Sequence, residues 1–515
     1  MSAIDLAEFI RAYDIRGVVG EHLFPEVVHA LGAAFADVVI IPDGHRQMVL
    51  GYDMRSSSPE LATAFTAGVQ GAGIDVLDIG LCATDQLYFA SGRLACPGAM
   101  VTASHNPARY NGLKLCRSRA VPVGMEDGLR QIREHAQAAL DAPDASRPTG
   151  RQPAATSRRD PWAEMPGSAK HPDAPGVLRA RSITDEYVDY LYSLVQVDGM
   201  RPLRVVVDAG NGMAGLSAPS VLQAGRAPID MIGLYLELDG TFPNHQPNPL
   251  DPENVKDLGR AVREHGADLG LAFDGDADRC FVVDEAGRPV SANAISALVA
   301  LQEIAAEVAR GVPAHEVTVV HNSVTSMALP QAIAAAGARP VVSKVGHVYV
   351  KQAMAAHQAI FGAEHSGHYY FRDFWYADTG MLMALRVLSA HGSAPGAPAL
   401  SEVVSHYQAY CQSGELNFVV ADVPAATEHV LSWGRARAPG LEVDRVDGLL
   451  LTSSGAGDHF WRVSLRASNT EPLLRLNVEA DVKSVMSEVR DEVRAILRLA
   501  ESQRATPEVT GSDSP

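Results

Sequence analysis

The sequence predicts a multidomain α/β protein, with three related strand–helix units followed by a smaller α+β domain. Three observations predict it. The chain has 515 residues, too many for one ordinary core, so three or four domains are expected. Three stretches repeat one local order: apolar strand, polar loop, glycine-ended helix, second strand. After the last of them the pattern changes to consecutive strands closed by one helix.

The first unit runs from MVLGYD through the loop MRSSSP to Gly73 and then IDVLDIG. The second runs from RVVVDAGNG to Gly225, and the third from VTVVHNS to Gly337 and then RPVVSKVG. Each of the three glycines sits in Ala-Gly-X, the setting of a left-handed C-cap. Strands alternating with helices of this length form βαβ units, hence sheets that are at least partly parallel. Between about 139 and 176 the chain is rich in Pro, Ala and Arg with little apolar periodicity, which reads as a surface insertion or linker. HGSAPGAPAL is a second linker candidate. Beyond it, LEVDRVDGLLLTS, FWRVSLRAS and LLRLNVEA read as strands and Val482 to Leu499 as a helix, an α+β arrangement. The closing ESQRATPEVTGSDSP has the composition of a disordered tail.

Composition narrows the function. With 43 basic against 61 acidic residues the formal charge is -18, which opposes broad attraction to nucleic acid or an anionic membrane. A phosphorylated ligand then needs a locally basic site. The five cysteines (Cys82, Cys96, Cys116, Cys280, Cys411) are odd in number and contain no CxxC pair, so a reduced, cytoplasmic setting is expected over a disulfide framework or zinc site. MSAIDLAEFI lacks the basic start of a signal peptide, and no unbroken apolar run is long enough to span a bilayer.

Four segments carry chemistry. GAMVTASHNP is a strand entering a tight turn that holds Ser104; G-x-S-x-G is absent, so a hydrolase triad fits poorly, and His105, the next residue, is expected to point away from the serine. Taken alone, this serine reads better as a loop hydroxyl bonding backbone than as a nucleophile. LGLAFDGDADR feeds Asp274, Asp276 and Asp278 at period two, which on an extended segment project to one side. Three converging carboxylates call for a hard cation such as Mg²⁺. An EF-hand is the rival, with Glu285 at its twelfth position, but Arg279 stands where that loop needs glycine and CFVVDE reads as a strand. FGAEHSGHYYF offers Glu364, Ser366 and His368 at a spacing suited to neighbouring sugar hydroxyls, or is simply a structural loop. LRASNTEPLLR places Arg466, Ser468, Asn469 and Thr470 in one loop after a strand, a phosphate-binding composition.

In this order, TASHNP, DGDADR, GAEHSGH and RASNTEP, with YDIRG at 13–17, resemble the α-D-phosphohexomutase family, especially its bacterial phosphomannomutase/phosphoglucomutase branch. The resemblance covers nearly the whole chain. It implies three related α/β/α domains with mixed sheets and a C-terminal TATA-binding-protein-like α+β domain around a central cleft. The expected division is 1–180, including the insertion, then 181–292, 293–396 and 397–502, with 503–515 as tail. By resemblance Ser104 is the phosphorylated residue, and Asp274, Asp276 and Asp278 bind Mg²⁺ together with a phosphoserine oxygen. Arg279 lies beside that phosphate, Lys114 of NGLKL serves proton transfer and charge stabilisation, and His347 of KVGH and Arg16 belong to the same cleft. Tyr13, Glu364, Ser366 and His368 contact the sugar, while Arg466, Ser468, Asn469, Thr470 and Arg475 hold the non-transferring phosphate.

The implied activity interconverts hexose 6-phosphate and hexose 1-phosphate of mannose or glucose. A 1,6-bisphosphate of either sugar is the intermediate and activator. Sugar phosphates are the expected partners of a monomer or homodimer. Three departures bear on specificity. HNSVTS lacks a lysine common after this strand, His365 replaces a common methionine, and SNTEP differs from the SGTEP usual in phosphoglucosamine mutases. The rival readings are a phosphoglucosamine or dedicated glucose mutase, a phosphoserine-using metal-dependent phosphatase, and a non-catalytic calcium-binding or scaffold protein.

Overall fold

The three recurring segments build sheets of one topology. The computed structural model describes residues 4–11, 13–142, 174–453, 459–467 and 473–502. Most of the Pro-rich stretch, residues 468–472 of the RASNTEP segment and residues 503–515 lie outside the described residues.

In the first unit the central strands lie in the order Asp75–Leu81, Gln47–Tyr52, Gly98–Val101, Tyr110–Arg117. The first three are parallel and the fourth is antiparallel. The second unit repeats this with Ile229–Leu234, Leu203–Asp208, Leu269–Phe273 and Cys280–Val283. The third repeats it with Arg339–Ser343, Thr318–Asn322, Phe361–Ala363 and Tyr369–Phe371. Each unit therefore runs second, first, third, fourth, and only the last strand is reversed. The helices Ser58–Gly71, Ala214–Leu222 and Ala328–Ala335 cross from first to second strand in each copy. Gly73, Gly225 and Gly337, just past them, all have positive φ, as their Ala-Gly-X setting predicts.

The first sheet is enclosed on both faces. Helices Pro25–Phe35, Ser58–Gly71 and Leu129–Asp141 cover one side through Leu31, Phe35, Phe65 and Ile132. Helix Thr84–Leu94 covers the other and joins a core that continues through all three units, including Leu87, Leu191, Val205, Leu298, Phe361 and Leu388. Such a continuous core makes the three units one body. Helix Ala292–Ala309 is apolar and long enough to cross a membrane by length and composition, but 56% of it is buried within the protein and it carries Glu303 and Glu307. It is a core helix.

The helix Leu400–Ser405, beyond the second linker candidate, still packs on this core through Leu400 and Val404, and Ser401 donates to Glu285. The last sheet has the order Cys411–Phe418, Leu474–Ala480, Trp461–Ala467, Leu449–Thr452, Glu442–Asp444, all antiparallel. Its helices Val423–Arg437 and Lys483–Ser502 close a separate core around Val430, Val463, Leu476 and Val489. The strand Cys411–Phe418 and the helix Val423–Arg437 escaped the sequence reading. The strand is half-exposed and polar, so it shows little of the alternation that marks a buried one.

Candidate active site

The three chemistry-bearing loops occupy one topological position. TASHNPAR, DGDADR and EHSGH each join the third strand of their unit to the reversed fourth. Three copies of one hairpin therefore bring a serine, an acidic cluster and a sugar-binding composition to one junction.

Ser104 is fully buried and holds a left-handed backbone with φ 50°. That conformation is strained for a residue with a side chain and needs support from its surroundings. Arg55, itself 1% exposed, gives that support. Its guanidinium donates to the carbonyls of Ser104 at 2.8 Å, Asn106 at 2.7 Å, Pro107 at 2.9 Å and Tyr110 at 3.0 Å, and pairs with Asp53 at 3.2 Å. Thr102 Oγ1 accepts the Ser104 N–H at 2.9 Å. Arg55 was missed from sequence. Its only signal is an arginine in the polar loop after a first strand.

Asp274, Asp276 and Asp278 are all 0% exposed, and a ligand oxygen from each lies within 4.8 Å of the others. They do not sit on an extended segment: the strand stops at Phe273, and the loop turns with Ala277 at φ 61°. The chain's reversal, not period-two alternation, makes them converge. Strand Cys280–Val283 follows and Glu285 bonds Ser401, so the EF-hand reading falls. The Ser104 hydroxyl donates to Asp274 Oδ2 at 2.8 Å across the boundary between first and second units. Gly275 allows this approach, since a Cβ there would lie 2.4 Å from the Ser104 carbonyl oxygen.

Lys114 Nζ donates to Asp276 Oδ2 at 2.7 Å and also to Asp278 Oδ2. Although burial opposes its charge, these two carboxylates hold it firmly as an ammonium. Asp276 Oδ1 and Asp278 Oδ1 remain buried without a hydrogen-bond partner. Burial, then the charges of Asp278 and Asp276, push the Asp274 carboxyl well above its usual range. Two orphaned anionic oxygens beside a destabilised third carboxylate fit a small divalent cation with oxygen ligands. A second grouping, Asp278, His368 and Asp378, shares Asp278 with the first, and Lys351 lies 2.6 Å from Asp378.

Arg279 closes the loop between two histidines. Its backbone N–H donates to Asp274 Oδ1 at 3.2 Å, its Nε to His368 Nε2 at 3.3 Å, and a terminal nitrogen to His105 Nδ1 at 2.7 Å. His105 does not point away from the serine: Nδ1 lies 3.2 Å from Ser104 Oγ. The left-handed turn at Ser104 brings adjacent side chains together, which an extended backbone would not. Both imidazoles accept from a guanidinium and are therefore neutral. Burial and then Arg279 press His105 well below its usual range and His368 down to about 3. The other His368 nitrogen is 3.0 Å from Ser366 Oγ.

Glu364 is 2% exposed and accepts from Tyr370 at 2.6 Å, Asn322 at 3.1 Å and the Gly346 N–H at 3.1 Å. Gly346 precedes His347, whose ring meets Tyr13 edge-on at 4.7 Å between centroids and whose Nε2 is 3.6 Å from Asp14. Asp14 also pairs with Arg16 at 2.9 Å, and Arg16 donates to Asn106 of the serine loop at 2.8 Å. YDIRG of the first unit and KVGH of the third thus meet beside Ser104. In the fourth domain, Arg466 and Arg475 both bind Glu415, at 3.1 and 3.0 Å. Half-buried His365, of EHSGH, lines one cavity together with Glu415. Ser468, Asn469 and Thr470 lie outside the described residues.

Comparison with known proteins finds one family along the chain. Residues 8–142, 185–287 and 293–410 match phosphoglucomutase/phosphomannomutase alpha/beta/alpha domains I, II and III, and 415–496 match the C-terminal domain. The chain is 39% identical over 490 residues to the phosphohexose mutases of Xanthomonas campestris pv. campestris, covering 95% of this chain and 98% of that one. It is 38% identical over 502 residues to the phosphomannomutase of Salmonella montevideo, covering 96% and 98%. A phosphoglucomutase/phosphomannomutase family protein from Burkholderia thailandensis superposes with a TM-score of 0.78 at 28% identity, covering 96% of this chain and 97% of that one.

Proposed function

The chain belongs to the phosphoglucomutase/phosphomannomutase family, as a phosphohexose mutase and hence an isomerase, and from that premise we propose that it moves a phosphoryl group between O6 and O1 of mannose and glucose through Ser104. The observation that carries the reading is the 2.8 Å bond from Ser104 to Asp274, beside Asp276 Oδ1 and Asp278 Oδ1, which are buried without a hydrogen bond.

Phosphorylated Ser104 donates to the free hydroxyl of a bound hexose monophosphate. A P–O bond forms to the sugar, the P–Oγ bond breaks, and the hydroxyl proton ends on Oγ. The 1,6-bisphosphate turns around in the cleft and returns its other phosphoryl to Ser104. Positioning and charge stabilisation are what such a transfer needs from protein. Arg279, oriented by two neutral histidines, and Lys114, held as an ammonium by Asp276 and Asp278, supply fixed positive charge to the acidic loop that Ser104 bonds. Mg²⁺, which Asp274, Asp276, Asp278 and a phosphoserine oxygen would hold, polarises the phosphoryl oxygens when bound. Arg466 and Arg475, with Ser468, Asn469 and Thr470, grip the phosphate that is not transferred, while Glu364, Ser366, His368, Tyr13 and His347 contact the sugar. Arg16 steadies the serine loop through Asn106.

A coupled assay offering mannose 1-phosphate and glucose 1-phosphate with catalytic glucose 1,6-bisphosphate tests this. Wild type should convert both. Ser104→Ala should lose about 10⁴-fold or more, as removal of a nucleophile does. Steady release of inorganic phosphate without isomerisation would instead make the protein a phosphatase. Near-normal turnover by Ser104→Ala would end the assignment.

A further inference from the structure

We propose that Thr84 is a positioning residue for the metal centre, gripping Asp276 across the domain boundary so that one carboxylate oxygen stays free for the cation. The inference rests on the reading of DGDADR as a divalent-cation loop.

Thr84 opens the helix Thr84–Leu94 of the first unit, in a segment to which the motifs above assign no chemistry. It is fully buried and holds residue 276 at two points. Its backbone N–H donates to the Asp276 carbonyl at 3.0 Å, and its hydroxyl donates to Asp276 Oδ2 at 2.6 Å. The first bond fixes the loop backbone and the second fixes the carboxylate. Lys114 donates to the same Oδ2 at 2.7 Å. With two donors converging on Oδ2, rotation of the carboxylate is restrained, and Oδ1 is the oxygen left without a partner. Outer-sphere bonds of this kind orient a ligand before the metal arrives, so binding loses less rotational freedom.

The grip is anchored independently. Asp85, the next residue, accepts hydrogen bonds from Tyr187 at 2.7 Å and Thr379 at 2.7 Å, which belong to the second and third units. Gln86 accepts the Ala83 N–H at 2.9 Å. The start of the helix is thereby tied to its surroundings without the Thr84 hydroxyl, whose remaining work is on Asp276. A hydroxyl serving only interface stability would be replaceable by a methyl group without effect on the cation.

The test titrates Mn²⁺ alone into the full-length, unphosphorylated protein, by calorimetry or electron paramagnetic resonance. Thr84→Val keeps the shape and should weaken Mn²⁺ binding about tenfold, the lower end for loss of an outer-sphere partner. Thr84→Ser should stay within about twofold of wild type on the same grounds. Thermal unfolding without metal should separate the variants far less than the titration does. If Thr84→Val fails to fold, Thr84→Ala against Thr84→Ser makes the same comparison. Asp276→Asn is the control. Should it lose Mn²⁺ while the hydroxyl-free variant binds like wild type, the positioning role is overturned and the cation loop stands. Should Asp276→Asn bind like wild type, both are overturned.

Discussion

Individual side chains at this centre are held by neighbours that the sequence names only in part. The three aspartates were legible as three carboxylates crowded into one loop, although a chain reversal and not their spacing makes them converge. Ser104 was legible only through the order of the motifs and the family they resemble. Arg55 was not, since one arginine among loop serines carries no mark of the four carbonyls it will meet. His105 was misjudged because its direction depends on a left-handed turn that only tertiary packing imposes. Glu415 is a similar case, a carboxylate on a half-exposed strand that engages Arg466 and Arg475. On the proposed reading, a substrate phosphate would compete with it for both guanidiniums. Partly exposed ion pairs are worth about 0.5–1 kcal/mol, so Glu415→Gln should lower KM for glucose 1-phosphate about two- to fivefold with kcat little changed. A raised KM would show that Glu415 instead holds the arginines in place.

Among elements, the strand–helix repeats were readable from Ala-Gly-X punctuation and apolar runs, and their glycine caps fall where expected. What could not be read was that three different motifs are one hairpin in three copies, because the loops share no common motif. Contact between loops is the sensitive point. A Cβ on Gly275 would press on the Ser104 carbonyl oxygen at 2.4 Å, with backbone on both sides and no flexible group to yield. Gly275→Ala should therefore cost about 1–3 kcal/mol of stability, by overpacking, and lower kcat together with it. Gly71→Ala, at a helix end with open space around it, should leave both within error or raise stability slightly. Urea unfolding alongside the coupled assay separates the two expectations.

Across the whole molecule, the buried carboxylate of Asp85 joins all three repeated units through Tyr187 and Thr379. Burial pushes its pKa up to about 7, against the lowering effect of those hydroxyls, with Asp278 adding a little upward pressure. The folded protein thus holds this proton more tightly than the unfolded chain does. Stability from this group is full below about pH 4 and declines as pH rises towards about 7. Asp85→Asn keeps an acceptor and carries no charge. Between pH 4 and 8, wild type should lose about 1–3 kcal/mol relative to this variant in denaturant titrations, and parallel curves would refute the assignment. The shared core was not legible, since burial between units looks in sequence like burial within one.

Because the serine, the acidic cluster and the sugar loop each hang from the end of a third strand, the reacting centre stands like a tripod on three separate feet. An extra residue spliced into one hairpin lifts one foot and leaves the other two planted. The defect should then announce which foot moved: no phosphate on the serine, no grip on the cation, or a bisphosphate that escapes before it can turn.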